Sequence, residues 1–303
     1  MELITVITFY KIFFIKDVYK FSRSIERVAT KENILGTFFV TPEGINTTLS
    51  GSANNLQNFL NFLENEHKIP SELAKWTKTA SHPFKRLKVR IKDRLLPLEG
   101  DFQIIKKRGK HIAPEGWNEL LQDPDVILLD VRNEYEISLG TFKTSINPMT
   151  SSFINFPEFL ESIKGFKEKK FAMFCTGGIR CEVASAYMMH KGYKEVFQLE
   201  GGILNYIERV KVEDHLWQGE CFVFDERVSV DKNLLPGNYS QCFGCRRPLS
   251  KKDIKSRYYV KGVSCHLCFD ETSENDKLRF RERQKQIELA AIRGIKHFGG
   301  QKI

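Results

Sequence analysis

The sequence predicts an α/β protein built from three successive regions. Residues 1–94 alternate strand and helix patterns in the order βαββαβ. Residues 113–217 alternate buried strands with helices, which is typical of a parallel sheet covered by helices. Residues 218–303 contain two Cys-x2-Cys pairs. A chain of 303 residues is long enough for two or three such domains.

In the first region, apolar periodicity predicts a helix over residues 17–31 and a second helix that Ser52 caps and that runs to His67. The predicted strands are residues 3–14, 34–40, 45–50 and 87–91. The order βαββαβ indicates a ferredoxin-like α+β domain.

Five cations on the last of these strands and its flanks share one face at a strand period of two. A solvated face and an RNA-contacting face explain them equally well. They are Arg86, Lys88, Arg90, Lys92 and Arg94. The basic stretch 106–111 that follows is predicted to be a solvated connector.

The second region has predicted helices at residues 114–122 and 156–163, and predicted strands at 126–130, 171–174 and 196–199. Asp130 ends the first of these strands, at the carboxyl edge where sites of α/β proteins gather. We expect Asp130 to pair with Arg132 and to order the neighbouring loop, and a purely structural role is favoured for Arg132.

The most informative stretch begins at Cys175, where the strand 171–174 stops and a loop with two glycines leads into a helix. Backbone N–H groups that turn inward at a helix N-terminus form an anion cradle, which stabilises a thiolate. Arg180 adds a fixed positive charge. The alternative is that Cys175 is a small buried hydrophobic residue. The predicted cradle comprises Thr176, Gly177, Gly178, Ile179 and Cys181.

Two residues at the start of the following helix are also candidates for a role in the site. Cys181 is either a second thiol that reacts with an oxidised Cys175 or a packing residue of the first helical turn, with equal weight. Glu182 is expected to complement the helix dipole.

The third region has the spacing of a structural zinc site, with 19 residues (246–264) between the two pairs. The alternative is four thiols without metal. The candidate ligands are Cys242, Cys245, Cys265 and Cys268. A cation-rich helix follows at residues 276–286. Its Arg279 and Arg283 are candidates for RNA contact, although a solvated helix explains them too.

Composition narrows the class of protein. The net charge of +9 favours a polyanionic partner such as RNA. No targeting segment and no membrane span are predicted. Seven cysteines, four of them in Cys-x2-Cys pairs, fit a reducing compartment, so we expect a cytoplasmic protein.

The cysteine loop resembles the active-site loop of rhodanese domains. The resemblance extends to Asp130-Val131-Arg132, to Gly140 with Asn147-Pro148, and to residues 199–203. One position departs from it, because the usual Gly-His pair is Gly140-Thr141 here. A rhodanese loop alone implies sulfur transfer through a Cys175 persulfide.

A closer similarity, to the bacterial tRNA uridine hydroxylases of the TrhO type, is found in three parts of the sequence. They are residues 175–182, residues 219–227 and the four late cysteines. This resemblance implies an acylphosphatase-like first domain and oxygen-dependent conversion of the wobble uridine to 5-hydroxyuridine. Molecular oxygen is then a co-substrate and the tRNA anticodon loop is the partner. No flavin or iron motif and no obligate protein partner are predicted. Sulfur transfer is the alternative activity, and a binding module with an inert Cys175 is a third possibility.

Overall fold

The computed structural model describes residues 3–80, 82–98 and 104–294, and the chain divides into two compact units. The first unit comprises Met1–Phe222 with Val230–Leu235, and the second comprises Val223–Ser229 with Pro236–Ile303. Within the described ranges, no helix has the length and apolar character that crossing a bilayer requires.

The N-terminal part of the first unit is a five-stranded sheet with two helices. Its strands lie in the order β4-β1-β3-β2-β5, and every neighbouring pair is antiparallel except β2 and β5. The elements are β1 (Ile4–Ile12), α1 (Val18–Lys31), β2 (Leu35–Thr41), β3 (Gly44–Gly51), α2 (Ala53–His67), β4 (Lys75–Thr79) and β5 (Leu87–Ile91).

Apolar side chains from both helices and the sheet form one core, with Ile25, Phe38 and Phe59 fully buried. The predicted cap of α2 is present, because Ser52 Oγ accepts a hydrogen bond from the N–H of Asn55 at 3.1 Å.

The sequence-based prediction missed β4. The fourth strand of the ferredoxin-like unit is Lys75–Thr79, whereas Leu87–Ile91, predicted for that place, is an additional strand at the opposite edge. The reason is physical: β4 is an edge strand of the sequence Lys-Trp-Thr-Lys-Thr, so it carries no apolar alternation to identify it.

The second half of the first unit is a four-stranded parallel sheet in the order β6-β10-β9-β7. The elements of this half, of which β8 lies outside the four-stranded sheet, are β6 (Lys110–Ile112), α3 (Pro114–Leu120), β7 (Val126–Asp130), α4 (Glu134–Ile137), β8 (Gly140–Phe142), α5 (Phe156–Ser162), β9 (Lys170–Phe174), α6 (Ile179–His190), β10 (Glu195–Leu199) and α7 (Gly202–Arg209). The predicted solvated connector at 106–111 is wrong in part, because Lys110 and His111 belong to β6 and pair with β10.

The remaining elements are short strands and one long helix. Strand β11 (Trp217–Gly219) pairs antiparallel with β8. The next elements are β12 (Cys221–Phe222), β13 (Ser229–Val230), β14 (Ser240–Gln241), β15 (Pro248–Leu249) and α8 (Glu274–Ile292), and β14 and β15 form a hairpin in the second unit.

Candidate active site and cysteine cluster

Cys175 lies where the sequence predicted it, immediately after β9 and before the N-terminus of α6. Its side chain has no exposed surface. The N–H of Gly178 donates a hydrogen bond to Cys175 Sγ at 3.1 Å. Gly178 is the residue that caps α6, with a φ of 100°, a conformation that glycine adopts without steric cost. Strand, turn and helix therefore aim backbone N–H groups at the sulfur.

The N-terminus of α7 holds the other side of this loop. The N–H groups of Ile203 and Leu204 donate to the carbonyls of Cys175 and Thr176 at 2.9 and 3.1 Å. A Cβ at Gly202 would lie 2.3 Å from the carbonyl oxygen of Cys175, so the approach requires glycine at this position. Both loop carbonyls therefore have hydrogen-bond donors in α7.

These surroundings lower the pKa of Cys175 from 9.0 to about 6. Burial alone would raise it, but a hydrogen bond from the Cys181 thiol, the charge of Arg180 and N–H groups at the start of α6 outweigh burial. The pKa of Cys181 is instead raised well above its usual value, by burial and by the neighbouring Cys175 thiolate. The site therefore holds a thiolate and a thiol next to each other.

Arg180 reaches this site as half of a buried ion pair. Its two terminal nitrogens bond to the two carboxylate oxygens of Glu136 at 2.5 and 2.7 Å, and Glu136 is fully buried. Sequence reasoning missed Glu136. Its only local signal is a capping box with Asn133 at the start of α4, which marks a helix end and not a site.

The predicted Asp130–Arg132 ion pair is present and fully buried. Arg132 Nε and Nη2 bond to the carboxylate of Asp130 at 2.8 and 2.6 Å. Arg132 also donates to the Gly140 carbonyl at 2.6 Å, and Thr141 Oγ1 donates to Asp130 at 2.8 Å. The pair thus ties the end of β7 to β8, which fits the structural role favoured for Arg132.

Glu182 does more than complement the helix dipole, the role expected from the sequence. Its nearly buried carboxylate accepts a hydrogen bond from Tyr10 Oη at 2.9 Å and lies 2.9 Å from His111 Nε2 and 3.4 Å from Arg108 Nε. Although burial acts to raise it, the pKa of Glu182 is lowered by these partners, and the pKa of His111 is raised by its hydrogen bond to Glu182. Gln198 is a further donor, at 3.3 Å.

The N-terminal sheet also contributes two residues next to the cysteine loop. A Cβ at Gly178 would lie 2.8 Å from Tyr10 Oη, so the phenol packs directly on the loop. Lys75 Nζ donates to the Gly201 carbonyl at 2.6 Å. Burial lowers the pKa of Lys75 to about 8, and the charge of Cys175 acts on it in the opposite direction. Tyr10 was predicted from the sequence only as a core residue or a residue that stacks on RNA bases, and no local pattern placed Tyr10 or Lys75 at the cysteine loop.

The cations predicted to contact RNA are five residues on or beside β5 and two in α8. Arg86, Lys88, Arg90, Lys92 and Arg94 are exposed, on or beside β5. This strand is four strand spacings from β4, which is about 19 Å across the sheet. In α8, Arg279 pairs with Asp276, whereas Arg283 donates to the carbonyls of Phe243 and Gly262 at 2.7 and 2.9 Å. These two bonds give Arg283 a structural role in the second unit.

The four late cysteines converge in the second unit. Their sulfur atoms all lie within 4.8 Å of one another, and three Sγ–Sγ distances are 3.8–3.9 Å. Four thiolates at 2.3 Å from a tetrahedral zinc ion would be about 3.8 Å apart. The cluster could therefore hold zinc with only small shifts of the sulfur atoms.

Comparison with known proteins agrees with this architecture. The family model of the UPF0176 acylphosphatase-like domain matches residues 4–95, and that of the rhodanese-like domain matches residues 114–209. With the parallel sheet and the cysteine cluster, these matches confirm the predicted fold class.

Individual proteins match over different shares of the chain. A rhodanese-related protein from Thermoplasma volcanium is 29% identical over 33% of this chain and 91% of its own, with a TM-score of 0.27. A single-domain sulfurtransferase from Saccharomyces cerevisiae is 22% identical over 34% and 93%, with a TM-score of 0.29. Scores this low add nothing to the assignment.

A tRNA uridine(34) hydroxylase from Acaryochloris marina is 43% identical over 300 residues, which cover 98% of this chain and 96% of that protein. With this identity over nearly its whole length, the chain belongs to the tRNA uridine(34) hydroxylase family.

Proposed function

We propose that this enzyme uses the Cys175 thiolate to hydroxylate uridine 34 of tRNA to 5-hydroxyuridine, with molecular oxygen as co-substrate. The observation that carries the proposal is a buried cysteine of lowered pKa, held by Gly178 N–H, in a chain that matches a tRNA uridine(34) hydroxylase along its length. Uridine has an electrophilic C6, and addition of a thiolate there makes C5 electron-rich enough to react with oxygen.

The negative charge that this addition places on the uracil ring needs a cationic neighbour. Arg180 has both terminal nitrogens on Glu136, and its charge acts to lower the pKa of Cys175. Lys75 is the better candidate for the ring, because its ammonium group lies close enough to Cys175 for their charges to interact. Replacing Lys75 by Met should slow hydroxylation more than tRNA binding.

The substrate must reach a sulfur atom that has no exposed surface. A wobble base lies in a single-stranded loop, so it can be turned outward with little loss of stacking. Entry then requires that residues packed on the cysteine loop move, and Tyr10 and Lys75 of the N-terminal sheet are among them.

The exposed cations of β5 are well suited to contact the tRNA backbone at a distance from the reacting base. Lys88 and Arg90 are exposed, while the alternating Leu87 and Val89 pack against the core. Phosphate contacts of this kind position a nucleic acid without reading its sequence. Exchanging Lys88 and Arg90 for Gln should weaken tRNA binding and flatten its salt dependence.

For the cysteine cluster, we propose a structural zinc ion held by Cys242, Cys245, Cys265 and Cys268. Four cysteine ligands leave no open coordination position, so the ion would stabilise the fold of the second unit and not take part in the reaction. Metal analysis of the purified protein should find about one zinc per chain, and Cys245→Ser should lower that content.

Sulfur transfer would use the same cysteine loop as hydroxylation. The two reactions are therefore distinguished by which modified nucleosides the tRNA contains. Cells that lack this gene are complemented with wild type or with Cys175→Ala, and their tRNA nucleosides are measured by mass spectrometry. We expect 5-hydroxyuridine derivatives to return only with wild type. If they persist without the gene while a thiolated nucleoside disappears, the enzyme is a sulfurtransferase.

A further inference from the structure

Hydroxylation by molecular oxygen needs two electrons beyond those that uridine supplies. One oxygen atom enters the product, and the other leaves as water. The inference below rests on the proposed function, and it concerns where these electrons come from.

The described part of the first unit contains three cysteines, and two of them are paired. Cys175 and Cys181 are both fully buried in the same core cluster, where each thiol acts on the pKa of the other. Cys221 is also fully buried, but its sulfur contacts the Phe222 carbonyl at 3.7 Å and Thr176, and burial raises its pKa to about 12. Cys181 is thus the thiol placed to react with whatever forms on Cys175.

The pair is chemically asymmetric. Cys175 is the thiolate, stabilised by the N–H groups of α6 and by Arg180, whereas Cys181 keeps its proton. An attacking sulfur and a proton-carrying sulfur are therefore present together before any substrate arrives. Both thiols belong to the same buried core cluster, and Cys181 lies in the first turn of the helix that begins beside Cys175, so the second thiol is at hand for a reaction on the first.

We propose that Cys175 and Cys181 together are the two-electron donor of the hydroxylation and end each turnover as a disulfide. Cys175 adds to C6 of uridine, and the carbanion at C5 takes up oxygen and a proton to give a C5 hydroperoxide. Cys181 attacks the distal peroxide oxygen, which breaks the O–O bond, leaves a hydroxyl at C5 and converts Cys181 to a sulfenic acid.

The remaining steps release the product and balance the equation. Loss of the C5 proton and of the Cys175 thiolate from C6 restores the double bond and gives 5-hydroxyuridine. The Cys175 thiol then condenses with the Cys181 sulfenic acid to a disulfide and water. In sum, uridine, oxygen and two thiols give 5-hydroxyuridine, water and one disulfide. An external dithiol reduces that disulfide before the next turnover.

A single-turnover experiment with the full chain tests the proposal. The enzyme is reduced, freed of reductant, and mixed with excess unmodified tRNA in air. We expect about one 5-hydroxyuridine per chain and a Cys175–Cys181 disulfide that forms in parallel, seen by peptide mass spectrometry after alkylation. Addition of dithiothreitol should restore continuous turnover.

Two variants add to the test. Cys181→Ser should reduce the single-turnover yield roughly tenfold or more, because nothing then reduces the hydroperoxide. Cys221→Ala removes the other buried thiol of the unit and should leave the yield unchanged.

The result on wild type does not depend on either variant folding. Formation of 5-hydroxyuridine while both thiols stay free for alkylation would overturn the proposal and leave the hydroxylase function intact. Absence of 5-hydroxyuridine even with oxygen and excess dithiothreitol would overturn the hydroxylase function as well.

Discussion

Ionisation of Cys175 should make the stability of the first unit depend on pH. The pKa of this thiol is about 6 in the folded chain against an ordinary 9.0, so the folded state is stabilised when the thiol is ionised. The contribution is complete above pH 9 and is lost as the pH falls to 6. Linkage gives about 0.4 kcal/mol at pH 6 and about 2.7 kcal/mol at pH 8. Cys175→Ser lacks this term.

The assay is urea denaturation of wild type and Cys175→Ser, both fully reduced, at pH 6 and pH 8. The difference in unfolding free energy between the two proteins should grow by about 2.3 kcal/mol in favour of wild type between these pH values. All other cysteines are common to both proteins, so their titration largely cancels. Parallel pH profiles would show that the loop does not stabilise a thiolate and would refute the reasoning.

Three further changes probe the contacts that hold the loop. Glu136→Gln should lower the unfolding free energy by about 3–5 kcal/mol in urea denaturation, because it leaves Arg180 buried without its anion; a loss below about 1 kcal/mol would contradict this. Tyr10→Phe should cost about 1.5–3 kcal/mol in the same assay, since Glu182 loses a hydrogen-bond donor, and unchanged stability would count against the contact. Gly202→Ala should slow 5-hydroxyuridine formation about a hundredfold by displacing the Cys175 carbonyl, whereas Gly165→Ala, which meets open space, should be as active as wild type.

The sequence predicted those parts of the site whose residues are neighbours along the chain. The apolar run before Cys175, the glycines after it and the helix that follows lie in one short stretch, and the structure reproduces them as β9, loop and α6. The cysteine cluster was predictable for the same reason, because Cys-x2-Cys is a local pattern with one common meaning.

The parts that sequence reasoning missed depend on contacts between distant residues. Glu136 is 44 positions from Arg180, Lys75 is 126 from Gly201, and Tyr10 is 172 from Glu182. Each of them has an ordinary local role, in a short helix or in a strand, and no periodicity distinguishes it. The contributions of Tyr10 and Lys75 exist only once the two sheets of the first unit have packed together, whereas that of Glu136 requires only that the half with the parallel sheet has folded.

The Glu182 contacts also limit whether a domain of this protein can be replaced by the corresponding domain of another protein. Tyr10 comes from the N-terminal sheet, Arg108 from the segment before the parallel sheet, and His111 from β6 at the edge of that sheet. A rhodanese-like domain transplanted without these partners would keep its cysteine loop but would bury a carboxylate beside it with too few donors. The two domains are therefore not interchangeable modules, and a working chimera must inherit both sides of this junction.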